Sequence, residues 1–326
     1  MKRPNDYFSL PCGVKTPRFC YTIVDYMQRT VKIWYNGKFV DAEKAQTHVL
    51  THALHYGSGA FEGIRAYLTP RGPAVFRLKD HVDRLFHSAA AFGMRIPYMK
   101  REIARAILET VAKNKLANCY IRPIVFYGAG KIAIRPTRTP VDIAIAAFPW
   151  EAYFGVERML KVSVSRFVRF HPKSIVPGTK ISGLYAVSVF ATVEARKRGM
   201  DEVILLDHEG NVAEGPGENV FIVKNGKLFT PDSPSILPGI TRASILSIAK
   251  HMKIPAAEKK ISPVGLRNAD EVFFTGTATE VAPIGMVNGK KIGNGDIGPV
   301  TAKLHAAYLD AARGKLPRYR KWLTPA

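Results

Sequence analysis

Pro177-Gly178-Thr179-Lys180-Ile181-Ser182-Gly183-Leu184-Tyr185 sets one lysine and one tyrosine at the mouth of a predicted helix. Ala213-Glu214-Gly215-Pro216-Gly217-Glu218-Asn219 sets a carboxylate in a tight Gly/Pro turn between two strand-like runs. An amine that bonds to a carbonyl and a carboxylate that holds a ring nitrogen protonated are complementary needs of one chemistry. The surroundings of the two segments decide what kind of chain carries them.

After the lysine, Ser182 to Arg198 reads as a helix with Leu184, Val187, Phe190 and Val193 as its apolar face, stopped by Gly199. The carboxylate lies in a β-rich half. Lys161 to Arg169 alternates, Val203 to Asp207 leads through Glu209-Gly210 into Val212, and Phe221 to Phe229 turns at Asn225-Gly226. Val272 to Phe274 and Val287 to Ile292 add strands, while Thr241 to Met252 and Thr301 to Arg313 add helices. A closed or strongly curved sheet with helices packed outside is expected there. The first half is mixed. Val31 to Val40 alternates around Asn36-Gly37, a hairpin signal. Asp80 to Met94 and Arg101 to Leu116 carry helical stripes, and Tyr120 to Tyr127 and Ile143 to Phe148 read as strands. Phe148 to Arg158, punctuated by Pro149 and Gly155, is the expected junction. The fold class is therefore α+β in two domains. An extension covers 1–30, a small α/β domain 31–147, a linking loop 148–158 and a larger domain 159–326.

With 326 residues, 47% of them hydrophobic and 23% charged, the chain has the composition of an ordinary globular protein. No apolar run approaches the roughly 20 residues of a membrane span. The first residues lack the compact apolar core of a secretory signal. Cys12, Cys20 and Cys119 have no metal-ligand spacing, and an odd count suits a reducing compartment. A cytoplasmic protein without membrane or metal is expected. The formal charge of +22 raises the question of nucleic acid. Its basic residues are dispersed in small groups, densest from Arg313 to Lys321, and no recognition helix, zinc spacing or stacking platform accompanies them. A basic solvated surface that attracts anionic substrates is the expectation, with no nucleic-acid partner. A non-catalytic nucleic-acid-binding protein stands as the alternative from another class.

Single residues carry little by themselves. Most lysines are solvated, but Lys180 precedes an apolar helix, where an amine is partly desolvated and available as a nucleophile. Tyr185, about one and a half turns on, is either a core aromatic or a phenol aimed at a cofactor's ring oxygen. Glu214 either closes a turn or faces a pyridine nitrogen, keeping it protonated so that the ring accepts electrons. These are the requirements of pyridoxal 5'-phosphate. Its phosphate needs a cradle. Gly239-Ile240-Thr241 opens a helix whose free N–H groups suit an anion, Thr277 offers a hydroxyl and backbone donors, and Arg84 can close the site.

Several separated motifs occur in one order: His52-Ala53-Leu54-His55-Tyr56-Gly57, Phe61-Glu62-Gly63-Ile64-Arg65, His81-Val82-Asp83-Arg84-Leu85, Tyr120-Ile121-Arg122-Pro123 and Phe148-Pro149-Trp150. The Lys180 and Glu214 segments, Leu237-Pro238-Gly239-Ile240-Thr241-Arg242 and Gly276-Thr277-Ala278-Thr279-Glu280 complete the series. From about Val31 onward the chain resembles the class IV aminotransferases of fold type IV, and within them the branched-chain amino acid aminotransferases. The resemblance implies a small α/β N-terminal domain, a larger pseudo-barrel C-terminal domain and a pyridoxal phosphate cofactor. It implies transamination between leucine, isoleucine or valine and 2-oxoglutarate.

The resemblance also assigns roles. Lys180 would bond the cofactor and shuttle the proton, Glu214 would bind the pyridine nitrogen and Tyr185 the ring oxygen. Arg84, Ile240, Thr241 and Thr277 would hold the phosphate. Tyr120 and Arg122 would place the substrate carboxylate, with backbone donors from Thr277 and Ala278, and Tyr56, Phe61, Trp150 and Tyr153 would wall the side-chain pocket. The distal carboxylate of 2-oxoglutarate needs a cation or phenol, for which Arg122, Tyr120 and Arg65 are candidates. The family is a homodimer or larger, such as a homohexamer, and Ile132 and Ile134 match positions that reach the partner's site. D-amino acid aminotransferases, (R)-selective amine transaminases and aminodeoxychorismate lyases share the lysine and glutamate. Tyr120-Ile121-Arg122-Pro123 and the Gly-Glu-Asn ending at Asn219 favour the branched-chain group.

Overall fold

The computed structural model describes residues 31–150 and 158–326. The extension over 1–30 and the pocket candidate Tyr153 lie outside the described residues. Strands β1 Lys32–Tyr35 and β2 Lys38–Asp41 form the hairpin signalled by Asn36-Gly37, both turn residues at positive φ, 46° and 90°. The short helix α1 His52–Tyr56 follows. Strands β3 Gly59–Phe61, β4 Ile64–Thr69 and β5 Gly72–Phe76 come next. The Gly-rich motifs of this stretch hide their alternation, so no strand is expected there from the sequence. Helices α2 Leu78–Ala91 and α3 Lys100–Lys113 lead to β6 Cys119–Tyr127 and β7 Val141–Pro149.

The second half contains β8 Leu160–Val168, α4 Tyr185–Lys197, β9 Glu202–Leu206, β10 Val212–Glu214, β11 Asn219–Lys224 and β12 Lys227–Pro231. It continues with α5 Ile240–His251, β13 Ala256–Lys259, α6 Pro263–Arg267, β14 Glu271–Gly276, β15 Glu280–Val287, β16 Lys290–Lys291, α7 Pro299–Ala312 and β17 Leu323–Pro325. The strand expected over Val287 to Ile292 is in fact the end of β15 and β16, folded back at Asn288-Gly289. Among the described residues no helix is long and apolar enough to cross a membrane.

One sheet runs in the order β17-β5-β4-β6-β7-β1-β2, with β3 on β6. The last strand of the chain thus returns to pair with β5, Leu323 opposite Phe76. In the other sheet β10-β9-β8-β15-β14-β11 closes through a β10–β11 pairing into a six-strand barrel. Closure removes the open edges of that set of strands. The curved sheet expected from the sequence is this barrel, and the α+β two-domain fold class holds.

Of the apolar stripe read for α4, Val187 packs against a buried cluster but Phe190 and Val193 do not. Phe190 is 57% exposed and Val193 48%, whereas Ser188, Ala191 and Ala195 are the buried residues. Small residues let the helix lie close to β8 and β9, so the larger ones point outward.

Phe221 on β11 and Phe273 on β14 are directly paired, their rings stacked at 5.2 Å, and both are fully buried. Phe221→Ala should therefore cost about 3–5 kcal/mol of stability. Denaturant unfolding measures it; a loss under about 1 kcal/mol would mean the barrel wall collapses around the cavity.

Candidate active site

Lys180 sits where the two sheets meet. Its backbone N–H donates to Ser88 Oγ at 2.8 Å, its carbonyl accepts from the Phe61 N–H at 3.1 Å, and Ile181 bridges to Ala60. These ties to α2 and β3 fix the start of the lysine's side chain. Lys180 Nζ lies 2.5 Å from the Tyr185 hydroxyl and 4.9 Å from the centroid of the Phe61 ring. Both line a cavity of about 330 Å³.

One end of the cavity is acidic. Glu214 is buried at the end of β10, where its Oε1 faces Arg169 Nε at 2.9 Å. Its Oε2 accepts from Asn219 Nδ2 and from the Leu237 N–H, both at 3.0 Å. Burial raises the carboxyl above its ordinary range, opposed by Arg169, the Leu237 N–H and Lys180. Glu202 and Glu218 line the same cavity. Burial and then the charge of Glu218 push Glu202 well up, and burial raises Glu218 too. The Gly-Pro-Gly turn is pinned by Ser188 Oγ, which donates to the Pro216 carbonyl at 2.8 Å.

The other end is cationic. Arg84 donates through Nε and Nη2 to the two oxygens of Glu62, at 2.6 and 2.9 Å, and through Nη1 to the Pro238 carbonyl at 2.9 Å. Glu62 is fully buried and also meets His81 Nδ1 at 2.7 Å. Beside Arg84 begins α5, whose N-cap Gly239 supplies no side-chain cap, leaving the leading N–H groups to an anion. A Cβ on Gly239 would come within 1.9 Å of Asn219 Oδ1, so this approach needs glycine. Thr277 lines the cavity, and Thr275 Oγ1, in the same lining, is buried with no hydrogen-bond partner.

Aromatic rings wall the remaining side. Tyr120 lies 5.6 Å from Phe148 and 5.1 Å from Trp150, and Phe61 lies 4.9 Å from Tyr185, centroid to centroid. Arg122 stacks over Phe61 at 4.8 Å and donates from Nη2 to the Tyr120 hydroxyl at 3.2 Å. A Cβ on Gly63 would come within 1.8 Å of that hydroxyl, so glycine there is what lets Tyr120 reach its position.

The cavity thus brings together Lys180, Tyr185, Glu214, Arg84, Ile240, Thr241, Thr277, Ala278, Phe61, Tyr120, Arg122 and Trp150. Two expected residues do not line it. Tyr56 is 40% exposed on α1. Arg65 is 4% exposed, its guanidinium 3.6 Å from Glu280 Oε1 and over the Tyr67 ring. A buried guanidinium seeks a carboxylate, and Glu280 supplies it away from the cavity. Sequence reading gave no role to Glu62, Arg169 or Glu202. Glu62 lies inside a quoted motif; Arg169, which reaches Glu214 from beyond the end of β8, has no local signal.

Comparison with known proteins identifies the family. The sequence model for amino-transferase class IV matches residues 59–287. The chain belongs to the class IV aminotransferases. A branched-chain-amino-acid aminotransferase of Pseudomonas aeruginosa is 48% identical over 295 residues, 90% of this chain and 96% of the relative. The crystal structure of the T.th. branched-chain amino acid aminotransferase complexed with N-(5'-phosphopyridoxyl)-L-glutamate superposes with a TM-score of 0.87 at 42% identity, covering 91% of this chain and 98% of that one. The Thermoproteus uzoniensis enzyme with norvaline gives 0.87 at 41%, covering 90% and 99%.

The Glu62 cluster predicts the acid response of the fold. Burial works against the charge on Glu62, but Arg84 and His81 outweigh it and hold the carboxyl well below its usual range. Burial likewise lowers His81 below its ordinary value despite Glu62. Each group binds fewer protons folded than unfolded, so each contribution is lost as pH falls. Stability should decline first below about pH 6.5, as the unfolded-state His81 gains its proton, and further below about 4.3 through Glu62. Urea midpoints between pH 8 and 4 test this. A His81→Gln variant that keeps the full upper decline would refute the assignment.

Proposed function

We propose that this chain catalyses pyridoxal-phosphate-dependent transamination between branched-chain L-amino acids (Leu, Ile, Val) and 2-oxoglutarate, giving branched-chain 2-oxo acids and L-glutamate. The carrying observation is a single cavity lined by Lys180, the buried carboxylate Glu214, Arg84 and a free helix start. That set of groups fits a molecule that carries a phosphate, a basic ring nitrogen and an aldehyde. The buried, unpartnered Thr275 Oγ1 is a further donor in the same lining. The relatives' names and their pyridoxyl ligands support the same reading.

When bound, pyridoxal phosphate supplies an aldehyde that bonds amines and a ring that takes up electrons. Arg84, the Ile240 and Thr241 N–H groups and Thr277 hold the phosphate. Glu214, its charge favoured by Arg169, keeps the ring nitrogen protonated, and Tyr185 binds the ring oxygen. Lys180 Nζ anchors the cofactor at rest and then carries the proton taken from the substrate Cα. Phe61, Tyr120 and Trp150 give an apolar wall, against which a branched side chain gains roughly 1.5–3 kcal/mol on burial. Arg122 and Tyr120 take a carboxylate.

Absorbance titration of purified protein tests this. L-Leucine should bleach the cofactor band and 2-oxoglutarate restore it, while D-alanine and (R)-1-phenylethylamine leave it unchanged. Lys180→Ala should slow the exchange by at least about a hundredfold. Arg122→Ala should slow the 2-oxoglutarate half-reaction about tenfold or more. Protein that stays colourless and inactive with added cofactor sinks the proposal, and an unchanged 2-oxoglutarate half-reaction in Arg122→Ala sinks that assignment.

The proposal includes a cytoplasmic homodimer or homohexamer and the boundaries 31–147, 148–158 and 159–326. Val49, Leu50, Leu54 and Tyr56 on and before α1 stand exposed, as do Ile132 and Ile134, and a partner subunit would cover them. Cys119 is buried and unpaired, as suits a reducing compartment. Sedimentation should show a dimer or larger; a monomer at working concentration rejects that part.

A further inference from the structure

Behind the cavity lies a chain of buried polar residues that none of the roles above uses. Arg65 and Tyr67 on β4 belong to one sheet, and Glu280 at the start of β15 to the other. Tyr67 donates to Glu280 Oε1 at 2.8 Å, and Arg65 Nη2 lies 3.6 Å from the same oxygen. Arg65 Nε and Nη1 have no hydrogen-bond partner, which leaves Glu280 as the carboxylate paired with this guanidinium. Tyr308 on α7, 1% exposed, is buried in the same cluster as Tyr67. One hydrogen bond and one charge pair therefore tie the first sheet to the start of β15.

This tie reaches the turn that carries Thr277, a residue of the cavity lining. Glu280 pairs with Gly276 and so closes the turn formed by residues 277–279, which holds Thr277. Its φ of +58° is a left-handed conformation that a glutamate adopts at a cost of about 1–3 kcal/mol. Strain of this kind persists only where the surroundings over-determine the backbone. Here the buried carboxylate is fixed from the opposite sheet.

We propose that Arg65, Tyr67 and Glu280 form a positioning network that holds the 277–279 turn in place, so that the Thr277 part of the phosphate cradle is set from the first sheet. Arg65 and Glu280 act through the backbone they anchor and touch neither substrate nor cofactor. The inference rests on the pyridoxal phosphate reading above.

Tyr67→Phe removes the hydroxyl that donates to Glu280 and keeps the ring, so the fold survives. Binding of pyridoxal 5'-phosphate and of pyridoxal, which lacks the phosphate, is measured by absorbance on the apo-protein, with apo-protein melting alongside. The variant should weaken pyridoxal 5'-phosphate about three- to tenfold and leave pyridoxal unchanged. Equal weakening of both ligands, or a drop in apo-protein melting with unchanged affinity, would assign the network to general stability and overturn the proposal. Unchanged binding of both would overturn it too. A wild-type chain that binds neither ligand would instead reject the functional reading on which the proposal stands.

Discussion

The contact between Arg169 and Glu214 is the constraint around which the acidic end of the cavity is arranged. A carboxylate buried to 4% exposure is not tolerated ionised without a countercharge and hydrogen-bond donors. Arg169 supplies the charge; Asn219 and the Leu237 N–H supply the donors. Those partners come from three different places. Arg169 follows β8, Asn219 opens β11 across the turn from Glu214, and Leu237 ends the loop before α5. Holding one carboxylate therefore brings the barrel strands and the helix start into register. The same Asn219 also accepts no Cβ at Gly239, so the acidic end and the phosphate end are built on adjoining backbone.

The cationic end follows the same logic with the signs exchanged. Arg84 is steered by Glu62 through two short contacts, and Glu62 is itself buried among Arg84 and His81. An arginine so held keeps one nitrogen on the Pro238 carbonyl and has its plane fixed before any anion arrives. Electrostatic preorganisation of this kind avoids reorientation at the moment of binding. Buried ion pairs are weak contributors to net stability, but breaking one leaves an uncompensated charge. Their placement here is better explained by geometry than by fold stability.

Much of this was legible in the sequence, and the limits have physical reasons. Lys180 and Tyr185 were readable as residue types at a helix mouth, but their 2.5 Å approach was not: five positions on a helix point apart, and the 3₁₀ turn Ser182–Leu184 between them brings the two together. Asn36-Gly37 and Asn225-Gly226 declare their hairpins because left-handed backbone favours those residues. The outward turn of Phe190 and Val193 was not readable: periodicity marks an apolar face but does not say whether that face or the one bearing Ser188 and Ala191 meets the sheet. Arg169 was invisible for a different reason. Its partner is set by barrel closure, a long-range event that leaves no spacing signal near either residue.

Arg65 shows where motif and geometry part company. Cross-strand pairing puts it opposite Tyr120, a cavity residue, and a cation beside that cavity invites a role with substrate carboxylates. Its guanidinium instead lies under Tyr67 and toward Glu280, because desolvating a positive charge without a carboxylate costs more than the distance to a ligand could recover. Glu280 in turn sits in a strained conformation directly after the turn that carries Thr277. The fold thus uses a buried charge pair between two sheets where a looser contact would have let the turn drift. The strand β17 strengthens the same seam from outside, returning the end of the chain to β5 and packing Trp322 on Phe76, beside Tyr308.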